Sequence, residues 1–282
     1  MNIQLAIQHG TNILTDKRIN TAKLDAEILM AKTLKKDRKF IILNNNKDLE
    51  DKNLKYFNKL IKERASYKPI AHLINKKFFW NNEFFVNKNT LIPRPDTEII
   101  VEQVLKMTKH KNMMNILDIG VGSGCILLSI LKERKNFYGT GIDISKNALD
   151  ICKINAKRLK VDGRTKFYKS DIDKFVEGNY DLIISNPPYI KSCELKYLES
   201  DVIKFEPKLA LDGGVDGLSE IRKVIKKSSE LIKYGGKLIL EIAYNQTREV
   251  KKLLKKNGFY TNSVVKDLAR NDRCIISTKI EK

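Results

Sequence analysis

From residue 115 onwards the chain alternates short apolar, β-branched runs with amphipathic stretches, and this alternation limits its fold more than any other feature. The runs cover residues 115–119, 137–142, 165–169, 181–185, 237–242, 260–266 and 273–280. Between them, residues 125–134, 146–159, 219–232 and 247–256 place apolar side chains at helical spacing. Parallel strands need long crossovers, usually helices, so the repeated β-α order predicts an α/β fold with a mostly parallel sheet covered on both faces. Ligands of such sheets bind beyond the carboxyl ends of the strands, and the chemistry is to be sought in the segments that follow them.

The preceding residues divide in two. Residues 1–75 read as a small helical domain, with Leu24, Ile28, Leu29 and Leu34, then Leu54, Phe57, Leu60 and Ile61, at near-helical spacing. Residues 16–20 and 44–47 are the expected connections, and Asp48 or Asp51 is the expected cap of the later helix. Residues 76–92 change period: Phe78-Phe79-Trp80 and Phe84-Phe85-Val86 flank Asn81-Asn82-Glu83, the pattern of a β-hairpin linker. The third segment, 93–282, opens with Pro95 in the first turn of a helix over 99–107, and Thr97 or Asp96 is its expected cap.

A net charge of +20 raises the question of nucleic acid. The charge is spread out: residues 1–75 hold 15 basic and 8 acidic side chains, and the chain has no basic tail or block. Lysine outnumbers arginine 43 to 11, a compositional bias rather than a set of phosphate forks. No specific nucleic-acid partner is expected; weak attraction to RNA or the ribosome is compatible with the charge. Runs of about 18 apolar residues are absent, so no membrane span or signal peptide is expected and the cytoplasm is the expected compartment. Cys125, Cys152, Cys193 and Cys274 are far apart and form no metal or disulfide pattern. No metal is expected.

Directly after the first run stand Gly120, Val121, Gly122, Ser123 and Gly124, and the second run ends at Asp143. Glycines let a backbone turn tightly against a ligand, and a carboxylate at the second strand's tip can accept both hydroxyls of a ribose. The spacing is G-x-G-x-G, with Cys125 where a dinucleotide fingerprint would carry its third glycine, and this spacing, with Asp118 inside the strand, favours S-adenosylmethionine over NAD. Asp171, followed by Ile172, stands after the third run, where it either recognises an adenine amino group or caps a helix. The fourth run leads into Asn186, Pro187, Pro188 and Tyr189. Two prolines remove two N–H donors and hold the loop extended, so it presents carbonyls beside the Asn186 amide. An amide nitrogen is a poor nucleophile because its lone pair is delocalised. The Asn186 side-chain oxygen and the Pro187 carbonyl can hold both of its hydrogens and favour a pyramidal nitrogen in line with a methyl donor. Tyr189 either packs on the planar acceptor or is a core tyrosine.

These motifs resemble the release-factor glutamine methyltransferases (PrmC/HemK) over nearly the whole chain. The resemblance rests on residues 68–73 (Lys-Pro-Ile-Ala-His-Leu), 91–98 (Leu-Ile-Pro-Arg-Pro-Asp-Thr-Glu), the glycine turn, and 185–189 (Ser-Asn-Pro-Pro-Tyr). It extends to 205–207 (Phe-Glu-Pro), 210–214 (Ala-Leu-Asp-Gly-Gly), and Asp216-Gly217. It implies a Rossmann-like, seven-stranded class I methyltransferase domain with an antiparallel last strand, behind a helical domain and a hairpin. It implies S-adenosyl-L-methionine as cofactor, S-adenosyl-L-homocysteine as product, and N5 methylation of the Gly-Gly-Gln glutamine of class-1 peptide chain release factors. Gly120 to Gly124, Asp143, Asp171, Ile172 and Asn186 would then contact the cofactor, and Asn186 to Tyr189 the glutamine. Ile172 stands where some members carry Trp, and Arg270 where glycine is usual.

Two related chemistries share the loop. An adenine-N6 DNA or RNA methyltransferase would need a target-recognition surface for which the chain leaves few residues. A methyltransferase of a ribosomal-protein glutamine typically departs from Pro95-Asp96-Thr97-Glu98, which this sequence keeps. A ribosome-binding module without catalysis is disfavoured by the intact loop and glycine turn.

Overall fold

The computed structural model describes residues 1–280; residues 281 and 282 of the predicted third segment lie outside the described residues. Two compact units emerge, Met1–Lys76 with Glu199–Phe205, and Lys77–Leu198 with Glu206–Lys282. The hairpin, set apart in the sequence reading, falls in the second unit, and the short helix Ser200–Phe205 groups with the first.

The first unit contains α1 (Ile3–Asp16), α2 (Ala22–Leu34), α3 (Arg38–Leu43), α4 (Asp51–Ala65) and α5 (Ile70–Ile74). Asn2 starts α1 by accepting the Leu5 N–H at 2.9 Å. The buried face of α2 runs through Ala22, Asp25, Ala26, Leu29, Met30 and Thr33. Leu24, expected in the core, is 40% exposed. The stripe is offset because buried Asp25 replaces an apolar residue and is neutralised by Arg64 of α4 at 2.7 Å. Leu29, Phe57, Leu60 and Ile61 are buried as expected, each adding about 1.5–3 kcal/mol of hydrophobic stabilisation. Neither Asp48 nor Asp51 caps α4; Glu50 holds the cap position without a side-chain bond.

The second unit opens with β1 (Lys77–Phe79) paired antiparallel with β2 (Asn82–Phe84). The predicted turn at Asn81-Asn82-Glu83 is displaced: Trp80 and Asn81 form it, with φ of 44° and 59°. Two positive φ values match the strand twist of a two-residue hairpin, which overrides the strand preference of Trp80. Glu98 holds the Trp80 N–H at 3.0 Å and Glu133 its indole N–H at 3.2 Å.

The main sheet contains β3 (Asn115–Ile119), β4 (Tyr138–Asp143), β5 (Thr165–Lys169), β6 (Tyr180–Ser185), β7 (Ile232–Glu241), β8 (Phe259–Lys266) and β9 (Asp272–Lys279). Their spatial order is β5-β4-β3-β6-β7-β9-β8, with the last strand, β9, antiparallel to both its neighbours. This is the seven-stranded class I arrangement. Successive residues of β3 and β6 are buried, so both faces are covered, as the parallel pairing requires. The covering helices are α6 (Glu98–Met107), α7 (Cys125–Glu133), α8 (Lys146–Arg158), α10 (Ser219–Leu231) and α11 (Thr247–Lys256), where Ser200–Phe205 is α9. The chain order reverses between β3 and β6, and a crevice opens beyond their carboxyl ends. No helix among the described residues is long and apolar enough to cross a membrane.

Candidate active site

A cavity of about 750 Å³ occupies that crevice. The β3-to-α7 turn forms one wall. Gly120, Gly122 and Gly124 take φ of 76°, 54° and 82°, in the left-handed region that favours glycine. A Cβ on Gly124 would lie 2.6 Å from both Cys152 Sγ and Leu128 Cδ1, so this glycine also lets α7 approach the turn. A Cβ on Gly120 would meet nothing within 4 Å, which marks the open side of the turn. Asp143, at the tip of β4, accepts the Gly122 N–H at 2.9 Å and the Ser145 N–H at 2.8 Å. Burial raises its pKa, and these two donors offset part of the rise.

Asp171 and Ile172 line the same cavity. Asp171 also accepts the Asp173 N–H at 3.2 Å, capping the 3₁₀ turn Ile172–Lys174, so the residue caps a turn while lining the cavity. Asn186, Pro187 and Pro188 complete the wall beyond β6. Tyr189 does not line the cavity. Its hydroxyl donates to Glu241 Oε1 at 3.2 Å, its ring packs against the sheet core, and burial pushes its phenol pKa well up. The alternative of Tyr189 packing on the acceptor is therefore not the arrangement found; the tyrosine anchors the loop from behind.

Gly120, Val121, Gly122, Ser123, Asp143, Asp171, Ile172, Asn186, Pro187 and Pro188 are thus brought to one cavity, while Gly124 supports it from below. The Asn186 Nδ2 donates to Thr97 Oγ1 at 3.2 Å, which leaves the Oδ1 end as the acceptor. Thr97 was an expected cap of the following helix; neither it nor Asp96 makes a side-chain cap bond. Its hydroxyl is taken by the Asn186 loop instead.

Several supporting residues were given no structural role from the sequence, although Glu206, Gly213 and Gly217 fall within the motifs that carry the family resemblance. Asn155 of α8, fully buried, donates to the Ser123 carbonyl at 2.9 Å and to the Phe85 carbonyl at 3.0 Å, tying the glycine turn to the segment that follows the hairpin. Glu206 accepts the Ile92 N–H at 3.0 Å and the Arg94 guanidinium at 2.5 Å, which holds the segment from Leu91 to Arg94 at the cavity. Gln246 donates to the Tyr189 and Gly217 carbonyls at 3.2 and 2.9 Å. A Cβ on Gly213 would stand 2.8 Å from Tyr189 Cα, so the glycines at 213 and 217 permit the backbone contact that backs the loop. Asp118, beneath the glycine turn, has neither carboxyl oxygen at hydrogen-bond geometry; burial lifts its pKa to about 8, and a weaker pull from the Leu127 N–H offsets only part of this. Burial pushes the Cys125 thiol up to about 12, which removes it as a nucleophile. Among the described residues no cluster of His, Cys, Asp and Glu is arranged to hold a metal ion.

The chain is similar to known proteins over its full length. The PrmC N-terminal domain model matches residues 6–74, and the methyltransferase small domain model matches residues 95–206. The release factor glutamine methyltransferase of Buchnera aphidicola from Acyrthosiphon pisum is 38% identical over 100% of both chains. The chain belongs to the release factor glutamine methyltransferase family. A second member, from Clostridium acetobutylicum, is 36% identical over 99% of each chain. A methyltransferase from Pyrococcus furiosus shares the fold, with a TM-score of 0.53 at 19% identity over 70% of this chain and 89% of that one. The Pro93-to-Glu98 and Phe205-to-Pro207 segments, which carried the family resemblance in sequence, meet in the Arg94–Glu206 pair at the cavity.

Proposed function

We propose that this protein transfers a methyl group from S-adenosyl-L-methionine to the side-chain amide nitrogen, N5, of the glutamine in the Gly-Gly-Gln motif of class-1 peptide chain release factors. S-adenosyl-L-homocysteine is the other product. One observation carries the reading: Asn186, whose Nδ2 is taken by Thr97 and whose Oδ1 is left as an acceptor, lines the same cavity as the glycine turn and Asp143. Membership of the family supports the choice of acceptor.

The residues fit the cofactor. The open side of Gly120 leaves room for it, and Asp143 at the β4 tip, a carboxylate that can accept from ribose hydroxyls, and Asp171 with Ile172, a polar and an aliphatic side chain suited to adenine, line the same cavity. When bound, the cofactor supplies a methyl group on a positively charged sulfur. Asn186 Oδ1 and the Pro187 carbonyl hold the two hydrogens of the acceptor amide, orienting its nitrogen and favouring the pyramidal form. Pro188 keeps the loop extended, and Tyr189 positions it through Glu241. Catalysis is positioning and electrostatics, a regime in which oriented groups are worth several kcal/mol.

Release factors place the activity in the cytoplasm. The test offers labelled S-adenosylmethionine to a release factor, a ribosomal protein and DNA in parallel. Label in the release factor is the expected result; label in DNA alone overturns the reading, and label in the ribosomal protein alone moves it to the sister activity.

A further inference from the structure

We propose that Gln246 is a positioning residue for methyl transfer: its buried amide staples the backbone of the acceptor loop to the turn at residues 213–217, and so sets where the Asn186 amide and the Pro187 carbonyl stand. The inference rests on the reading of Asn186 and Pro187 as the groups that hold the acceptor amide.

The loop needs support from outside itself. Pro187 and Pro188 have no N–H to give to a ladder, and beyond them the backbone pairing resumes at Ile190, whose N–H meets the Leu211 carbonyl at 3.2 Å. Three side-chain bonds bridge the gap. Two are made by the tips of the loop's own side chains, Asn186 Nδ2 to Thr97 Oγ1 and the Tyr189 hydroxyl to Glu241 Oε1. The third is made to the loop's backbone: Gln246 Nε2 donates to the Tyr189 carbonyl at 3.2 Å.

Gln246 is 7% exposed and engaged at both ends of its amide. Nε2 also donates to the Gly217 carbonyl at 2.9 Å, and Oε1 accepts the Ala243 N–H at 3.0 Å. Two carbonyls on one side and an N–H on the other admit one orientation of the amide. Sheet register fixes the base of the staple: Ser185 of β6 pairs with Leu240 of β7, and Ala243 lies just beyond β7. The glycines make the close approach possible. A Cβ on Gly217 would stand 2.6 Å from the Tyr189 carbonyl oxygen and 3.0 Å from Gln246 Nε2, and one on Gly213 would stand 2.8 Å from Tyr189 Cα. Because φ is fixed at both prolines, a shift of the Tyr189 carbonyl is carried along the loop to the Pro187 carbonyl with little rotation to absorb it. In a reaction catalysed by positioning, a misplacement of about 1 Å costs on the order of 100-fold in rate.

The test compares the wild type with Gln246→Met, which keeps the length of the side chain and loses its hydrogen bonds. kcat is expected to fall roughly 10- to 100-fold, with the KM for the acceptor peptide and the cofactor Kd within about twofold. Gly217→Ala disturbs the same contact with Gln246 in place and carries the same expectation. Wild-type kcat in folded Gln246→Met overturns the proposal, and so does a loss confined to KM or Kd. Two readouts need no turnover. In ¹⁵N–¹H spectra the Asn186 side-chain amide signals move in Gln246→Met while those of Asn155, which holds the glycine turn, stay in place; Asn186 signals identical to the wild type overturn the positioning. In the wild type the Gln246 amide hydrogens exchange with solvent more slowly than those of the exposed Gln8, and equal rates remove the staple without recourse to any variant. Failure of the wild type to methylate glutamine removes the functional reading, and the two NMR measurements still decide whether Gln246 holds the loop.

Discussion

The Asn186 amide is defined by what occupies its nitrogen. With Nδ2 engaged by Thr97, replacement by Ala removes an oriented acceptor and leaves the glycine turn and Asp143 in place. Asn186→Ala is expected to lower kcat at least about 100-fold with nearly unchanged cofactor affinity, measured by single-turnover transfer and calorimetry; transfer at the wild-type rate would refute the role. Asp143→Ala acts on the other partner. Losing charge-assisted bonds to a ribose weakens cofactor binding by roughly 1.5–3 kcal/mol, and an unchanged calorimetric Kd would remove Asp143 from the site. Asp118 tests the electrostatics of the turn. Its pKa is about 8 in the folded chain against 3.8 for the free group, so the stability it confers is present at acid pH and lost as pH rises between those values. Asp118→Asn does not ionise, and its thermal midpoint relative to wild type should rise between about pH 5 and pH 8; a constant difference would contradict the assignment.

The elements that shape the site were legible to different degrees, for physical reasons. Strands β3 and β6 and the glycine turn are contiguous, and their signals are local: apolar runs, then residues whose φ or missing N–H dictates a turn. Asn186 and Asp143 follow from lying at strand tips. Thr97, Glu241 and Asn155 act through partners 89, 52 and 70 residues away, so their roles depend on sheet register and helix docking that local pattern does not contain. Tyr189 was left between two readings because an aromatic beside a proline pair has the same local signal facing in or out. The hairpin turn moved for a similar reason, since the positive φ of Trp80 is held by Glu98 and Glu133 from elsewhere in the fold. Of the turn glycines, Gly124 bears most directly on stability. Gly124→Ala combines a φ of 82° with a contact at 2.6 Å and is expected to cost about 1–3 kcal/mol in urea unfolding; a neutral effect would show that α7 can shift away.

For the whole molecule, the doubly covered sheet sets the site and the surface sets the charge. The seven-strand order puts the crevice between β3 and β6, and every predicted cofactor residue except the supporting Gly124 reaches its wall. The charge of +20 is diffuse, so RNA binding should be weak and lost between about 50 and 200 mM salt in an anisotropy titration; retained affinity at the higher salt would mark a dedicated nucleic-acid face. The central claim is narrower: one cavity brings a methyl donor to an amide nitrogen gripped by Asn186. Mass spectrometry of a release factor after reaction with S-adenosylmethionine tests it most directly. The account predicts one added methyl group, on the side-chain nitrogen of the Gly-Gly-Gln glutamine; a methyl group on any other residue, or none on that glutamine, would contradict it.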